Sequence, residues 1–335
     1  MRRKSVFGRR RLGPFVVICA AITNLISPVG GQEPQVRIEP RVATGQSAKS
    51  EADRAETRIQ VNSTLVLIPV MVTDGRDHLI IGLARDQFRL WDEKAEQVIS
   101  HFAAEDAPVS IGVVFDSSGS MRNKINESRA AVAEFVRGAN PDDEFSLVEF
   151  NDRPHLVGGF TSQPQELQQE LMSIEPQGRT ALLDGIMLSL DQMQHAKHRR
   201  KAILIISDGG DNNSRYTSRD VKARLRESDV QVYSIGILEL PFRRRTMEEL
   251  GGAALLDEVA RETGGRLYEV DDLSDLAGIA STIGEALRSQ YVLGFAPTAE
   301  MRDGKYHRVR VKVARTKGHA ALRASFRSGY YAPSN

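Results

Sequence analysis

Cysteine is almost missing from this 335-residue chain. Its one thiol, Cys19, excludes an internal disulfide framework and a thiolate zinc site. An excess of one charge is missing too. Lys and Arg number 45 against 44 Asp and Glu, a formal +1. That balance gives no bulk attraction to nucleic acid or to an anionic membrane. The N-terminal apolar run, Phe15 to Ile26, is too short to span a bilayer comfortably. No repeat occurs at solenoid periods. Neither Gly-x-Gly-x-x-Gly nor a phosphate-binding Gly-x4-Gly-Lys-Ser/Thr is present, so no nucleotide signal exists. What remains is 41% hydrophobic and 27% charged, which excludes a polytopic membrane protein and a wholly disordered chain.

The first 31 residues hold six cations (Arg2, Arg3, Lys4, Arg9, Arg10, Arg11) and no acid. Without them 39 basic residues face 44 acidic ones, a charge of about −5. A basic stretch, an apolar run and then Ser27-Pro28-Val29-Gly30-Gly31 follow the order of a secretory signal. Residues 1–31 are therefore expected to be a signal cleaved near Gly31. The protein is expected to be exported: periplasmic, cell-surface or secreted. The alternative is an uncleaved anchor, the one route by which the chain would touch a membrane. Ile18 before Cys19 argues against lipid attachment, and Arg9-Arg10-Arg11 permits a twin-arginine reading only loosely. Loss of Cys19 with the signal suits an oxidising exterior. Residues 32–57 are polar and read as a disordered linker.

Residues 58–107 read as a β-rich module. Val61 and Leu65 to Val72 form one apolar run, ended by the turn Asp74-Gly75. His78 to Leu83, Phe88 to Trp91 and Val98 to Phe102 follow as further strands, with Trp91 expected in the core. Short strands and turns without a long helix predict a small β-sandwich-like unit.

Over residues 108–290 the pattern alternates. Val109 to Phe115, Ala202 to Ile206 and Val230 to Ile237 are near-continuous apolar runs, as in strands buried on both faces. Glu144 to Phe150 and Leu156-Val157 add strands. Helical spacing appears from Ile125 to Val136, Leu182 to Met193, Arg219 to Ser228, Leu255 to Glu262 and Leu273 to Ser289. This predicts an α/β fold with a doubly wound, mostly parallel sheet. Residues 291–335 return to β character at Tyr291 to Phe295, Tyr306 to Val313 and Ala321 to Phe326. Such strands are not stable alone, and we expect them to pack on the 58–107 module.

Ligands of open α/β sheets bind at the carboxyl ends of strands. There the sequence places Asp116-Ser117-Ser118-Gly119-Ser120, and after a later strand Ser207-Asp208-Gly209-Gly210-Asp211. Between them Gly178-Arg179-Thr180 opens a helix. Oxygen atoms of this kind suit a hard cation. By itself the first loop could equally cap the next helix. Asp184 reads as a helix-dipole partner, Asp211 and Asn212 as turn residues, and Ser117 and Gly119 as backbone-geometry positions.

The order Asp-x-Ser-x-Ser, then Thr, then Asp resembles the metal-ion-dependent adhesion site of the von Willebrand factor A domain. The resemblance covers roughly residues 108–290. The flanks, with Ser328-Gly329-Tyr330-Tyr331, are more loosely similar to secreted bacterial proteins called von Willebrand factor A-related. The resemblance implies that Asp116, Ser118, Ser120, Thr180 and Asp208 hold Mg²⁺, with Mn²⁺ or Ca²⁺ as substitutes. It also implies that the ion takes an Asp or Glu carboxylate from a protein partner, which is adhesion and not catalysis.

Enzyme patterns fit less well. Gly-x-Ser-x-Gly is absent around Ser118, and an Asp-x-Asp phosphotransferase would need an acid at that position. His195 and His198 precede Arg199-Arg200-Lys201 and read as a solvated basic helix end. Arg243-Arg244-Arg245 reads as a solvated loop, with an acidic partner as the sharper reading. Two rivals stay open: an interaction scaffold with a purely structural metal, and an unrecognised metal-assisted hydrolase.

Overall fold

The computed structural model describes residues 65–104, 106–237, 247–314 and 321–334, with 247–250 as backbone only. The expected signal, the linker, Val61 and Arg243 to Arg245 lie outside the described residues.

The chain first lays down β1 (Val66–Thr73), β2 (Phe88–Asp92), β3 (Ala95–Gln97) and β4 (His101–Ala103). It then builds an α/β layer from β5 (Val109–Asp116), α1 (Ile125–Arg137), β6 (Glu144–Phe150), β7 (Pro154–Thr161), α2 (Pro164–Ser173) and α3 (Leu182–Gln192). The layer continues through β8 (Arg200–Ser207), α4 (Ser218–Glu227), β9 (Val230–Ile237), α5 (Met247–Glu262), β10 (Leu267–Val270) and α6 (Leu276–Arg288). Four strands end the chain: β11 (Tyr291–Phe295), β12 (Tyr306–Val313), β13 (Arg323–Phe326) and β14 (Gly329–Tyr331).

The central sheet has the order β10-β9-β8-β5-β6-β7. It is parallel except at the edge, where β7 runs antiparallel to β6. Every residue of β5 and β9 is buried, which accounts for their unbroken apolar runs. One face is covered by α1, α2 and α6, with Val132, Phe135, Leu167, Leu171 and Ile283 in its core. The other is covered by α3, α4 and α5 through Leu182, Ile186, Val221, Leu225 and Leu256. The fold is the doubly wound α/β architecture predicted from the alternation.

Strand order reverses between β5 and β8. From β5 the chain steps outward to β6 and β7, and then returns to the far side of β5 as β8. The loops after β5 and β8 therefore stand side by side at the carboxyl rim, at the switch point of the sheet.

Two four-stranded sheets, β13-β1-β11-β4 and β14-β12-β2-β3, enclose a separate core that includes Ile68, Val70, Leu90, Leu293, Phe295 and Val311. Their strands come from both sides of the α/β layer. Val66 to Val70 pair with Tyr291 to Phe295, and Phe88 to Asp92 pair with Val309 to Val313, all antiparallel.

Several local expectations differ from the structure. His78 to Leu83 is not a strand and makes only the isolated bridge Thr73–Leu79. The segment is pinned instead by the Tyr291 hydroxyl, which accepts from Leu83 N at 3.0 Å and donates to Ile80 O at 2.9 Å. Val98 is 83% exposed, and the strand begins only at His101. Trp91 faces outward on β2, where Arg310 and Lys312 lie over its ring at 4.8 and 5.5 Å. The helix α2 was not expected from the pattern: only Leu167 and Leu171 are buried on it, a weak period for ten residues.

Candidate functional site

The loop after β5 is built around Asp116, whose side chain is fully buried. Its Oδ1 accepts from the Ser118 backbone N at 2.9 Å, and its Oδ2 accepts from Ser207 Oγ at 2.5 Å. Ser207 ends β8, so this bond joins the ends of the two strands at the switch point. The Ser118 and Ser120 hydroxyls lie 3.0 Å apart. They are set by a 3-10 turn over Gly119–Asn123 that precedes α1.

The loop before α3 is laced to both others. Gly119 N donates to Gly178 O at 3.1 Å, and Gln177 N donates to Ser117 O at 2.8 Å. Thr180 is buried; its carbonyl accepts from the Asn212 and Asn213 backbones, and its own N donates to Asn212 Oδ1 at 3.1 Å. Asp208 is joined to Lys124 Nζ, 3.2 Å from its Oδ2. The five residues singled out from the sequence thus belong to one network of three loops at one rim of the sheet.

Burial pushes the Asp116 carboxyl up to about 7, and the negative charge of Asp208 adds to the shift. Hydrogen bonds from Ser118 and Ser207 oppose it without prevailing. A buried carboxylate under the negative charge of Asp208, with the Ser118 and Ser120 hydroxyls beside it, fits the oxygen donor set of a hard divalent cation. Among the described residues no three or more His, Cys, Asp or Glu are grouped so that they could hold a metal ion, so any cation here would need the hydroxyls as well.

The residues around this network were not all legible. Asp184 does more than sit in the first turn of α3. Its Oδ1 accepts from Arg215 N at 2.9 Å and Tyr216 N at 3.1 Å, and its Oδ2 accepts from Arg215 Nε at 3.0 Å. Asp211 accepts from Ser214 Oγ at 2.6 Å, and Asn212 joins two loops. Both do more than form an ordinary turn. Ser117 Oγ donates to Glu149 Oε1 at 2.6 Å. Lys124 was missed entirely. Its signal was helical spacing, because it shares a buried face with Met121, Ile125 and Ser128.

The basic run before β8 also departs from the solvated reading. Arg200 donates to Ala107 O at 2.8 Å and also to Leu287 O, and Lys201 Nζ donates to Met193 O at 2.6 Å. These side chains tie down backbone carbonyls. His198 Nε2 meets Asp142 O at 2.8 Å.

A close approach of backbones supports the loop after β8. Gly209 adopts a positive φ of 88°. A Cβ on Gly252 of α5 would lie 2.0 Å from Gly209 O. The helix can reach this loop only because neither position has a side chain.

The doubly wound sheet, with these three loops gathered at its switch point, is a Rossmann-like α/β architecture. Residues 111–210 of this architecture match the family model of the von Willebrand factor type A domain. An uncharacterized protein of Borreliella burgdorferi is 24% identical over 188 residues, 50% of this chain and 55% of that protein. Human inter-alpha-trypsin inhibitor heavy chain H4 is 23% identical over 195 residues, 53% of this chain and 20% of that protein. The chain thus spans about half the length of the first relative and a fifth of the second. Among solved structures, a von Willebrand factor type A protein from Catenulispora acidiphila is similar with a TM-score of 0.47 and 13% identity, covering 82% of this chain and 75% of that one.

Proposed function

We propose that the chain is an exported interaction module that binds a protein partner through a divalent cation, Mg²⁺ with Mn²⁺ or Ca²⁺ as substitutes. The observation that carries this reading is the pairing of Asp116 and Asp208 beside the adjacent Ser118 and Ser120 hydroxyls. A buried carboxylate that faces the negative charge of a second one favours a cation nearby. Asp116, Ser118, Ser120, Thr180 and Asp208 would hold it. A bound ion supplies an electrophilic centre that accepts an Asp or Glu carboxylate from the partner, because most of these donors are neutral. The protein's share is to fix the donors. Ser207 and the Ser118 backbone orient Asp116, and Asn212 fixes the backbone at Thr180.

Recognition is favoured over catalysis by one contact. Ser118 Oγ is hydrogen-bonded to Ser120 Oγ, a neighbour that cannot serve as a general base for a nucleophile. Export rests on the signal-like residues 1–31. No helix among the described residues is long and apolar enough to cross a membrane.

The test is cation-dependent capture of partners from the native organism by the full chain, with and without EDTA. Asp116→Ala and Ser118→Ala are expected to abolish capture while the circular dichroism stays unchanged. Equal loss of fold and capture would contradict the reading. EDTA that lowers the melting temperature without releasing the partner would make the metal structural. Turnover in an esterase and phosphatase screen with Mg²⁺ or Mn²⁺ would make the protein a hydrolase.

A further inference from the structure

Lys124 is only 5% exposed, and its Nζ lies 3.2 Å from Asp208 Oδ2. A lysine ammonium is among the most strongly hydrated side-chain groups, and its burial is costly unless a charge partner compensates it. The helix does not need it there. At the amino end of α1 the Lys124 backbone already donates to Met121 O at 2.8 Å, and its side chain makes no capping bond. A cation is also the less favourable charge at that end of a helix dipole. The neighbours on this face, Met121, Ile125 and Ser128, are apolar or small. The position therefore works against lysine in hydration and in dipole, and the contact with Asp208 offsets part of these costs.

The same contact answers a problem at the rim. Asp116 is fully buried at the end of β5, and Asp208 directly follows β8 at the same rim, so two acids are gathered where the loops meet. We infer that Lys124 is a resident countercharge for this pair. It neutralises Asp208 in the metal-free chain and competes with a divalent ion for that carboxylate. The first half concerns the chain without metal. The second half rests on the metal reading above.

The competition has a definite sign. An ion of charge +2 drawn to Asp208 meets a unit positive charge beside one of the carboxylate oxygens, and the ammonium must yield or weaken the ion's hold. Lys124 thereby lowers affinity and makes loading depend on the cation concentration outside the protein. Loading would then be a reversible state of this domain and not a permanent one.

The experiment uses the full chain with Lys124→Met, Lys124→Arg, Asp208→Asn and the double variant Lys124→Met/Asp208→Asn. Lys124→Gln replaces the Met variant if that one fails to fold. Titration calorimetry with MgCl₂ and MnCl₂ follows dialysis against EDTA, and thermal melts are recorded in EDTA. Lys124→Met is expected to bind Mg²⁺ about tenfold more tightly or better. Lys124→Arg is expected to keep the wild-type affinity. In EDTA, Lys124→Met is expected to melt lower than wild type, and the double variant is expected to lose less than the two single variants together. Unchanged or weaker Mg²⁺ affinity in a folded Lys124→Met protein would overturn the competition. Additive losses in EDTA would overturn the countercharge role. A wild-type chain that takes up neither ion removes the metal reading and the competition with it, while the cycle in EDTA still decides between coupling and additivity.

Discussion

The Tyr330 hydroxyl donates to Asp92 Oδ2 at 2.7 Å within one sheet of the sandwich, from β14 past β12 to β2. Asp92 ends β2 and is fully buried, and its other oxygen meets His307 Nδ1 at 2.9 Å. The second ring nitrogen of His307 reaches Asp303 Oδ1 at 3.1 Å. One acid from the first part of the chain thus fastens two strands from the last part. Gly329 makes the approach possible, because a Cβ there would lie 2.2 Å from His307 O. The run Ser328-Gly329-Tyr330-Tyr331 is in this respect a structural clasp.

Tyr330→Phe should lower stability by about 1–3 kcal/mol, since it leaves a buried carboxylate short of a donor. Urea unfolding of the full chain measures this. Mg²⁺ affinity should not change, because the clasp lies in the sandwich and the candidate metal ligands lie on loops of the α/β layer.

The clasp should also respond to pH. Burial acts to lower the His307 pKa, but its hydrogen bonds to Asp92 and Asp303 prevail and raise it above the ordinary 6.5. A raised pKa means that the folded chain holds this proton more tightly than the unfolded one. The stabilisation is complete below the unfolded value and fades as pH rises through the folded one. Melting temperatures across neutral to mildly alkaline pH should therefore fall more steeply for wild type than for His307→Gln.

Asp184→Ala should free the segment after the third loop. The Arg215 and Tyr216 amides lose their acceptor, a cost of about 0.5–1.5 kcal/mol per bond because both residues are exposed to water. Hydrogen exchange should accelerate at these two amides and not in β5. Unchanged protection there would show that Asp184 does not hold this loop.

Gly252→Ala should be worse than an alanine in a helix normally is. The added methyl meets the Gly209 carbonyl and forces backbone apart, for which overpacking values of about 1–3 kcal/mol apply. A loss of stability with weaker Mg²⁺ binding is expected, because the displaced loop carries Asp208.

The α/β alternation was readable because strands buried on both faces are written as unbroken apolar runs, such as Val109 to Phe115. The three loops could be aligned with a family pattern because Asp116, Ser118, Ser120, Thr180 and Asp208 keep its order. Less could be read where a residue's role depends on partners distant in sequence. Trp91 looked like core, yet its side of β2 faces out under Arg310. The Tyr291 hydroxyl organises residues 80–83, more than two hundred positions earlier, and no local spacing encodes that. Lys124 was hidden for a different reason. A lysine at the start of a helix is usually solvated, and only its buried neighbours reveal otherwise.

The α/β layer leaves the sandwich after β4 and re-enters it at β11, and those two strands are paired neighbours, with Phe102 opposite Leu293. Its entry and exit points are therefore stitched together at its base. A pull applied at β1 and β14 would load the ladders of the sandwich first and bypass the inserted layer. A pull applied to the loops at the carboxyl rim of the α/β layer would instead pass through that paired base. The two directions of tension meet different resistances, which gives the molecule a mechanical polarity.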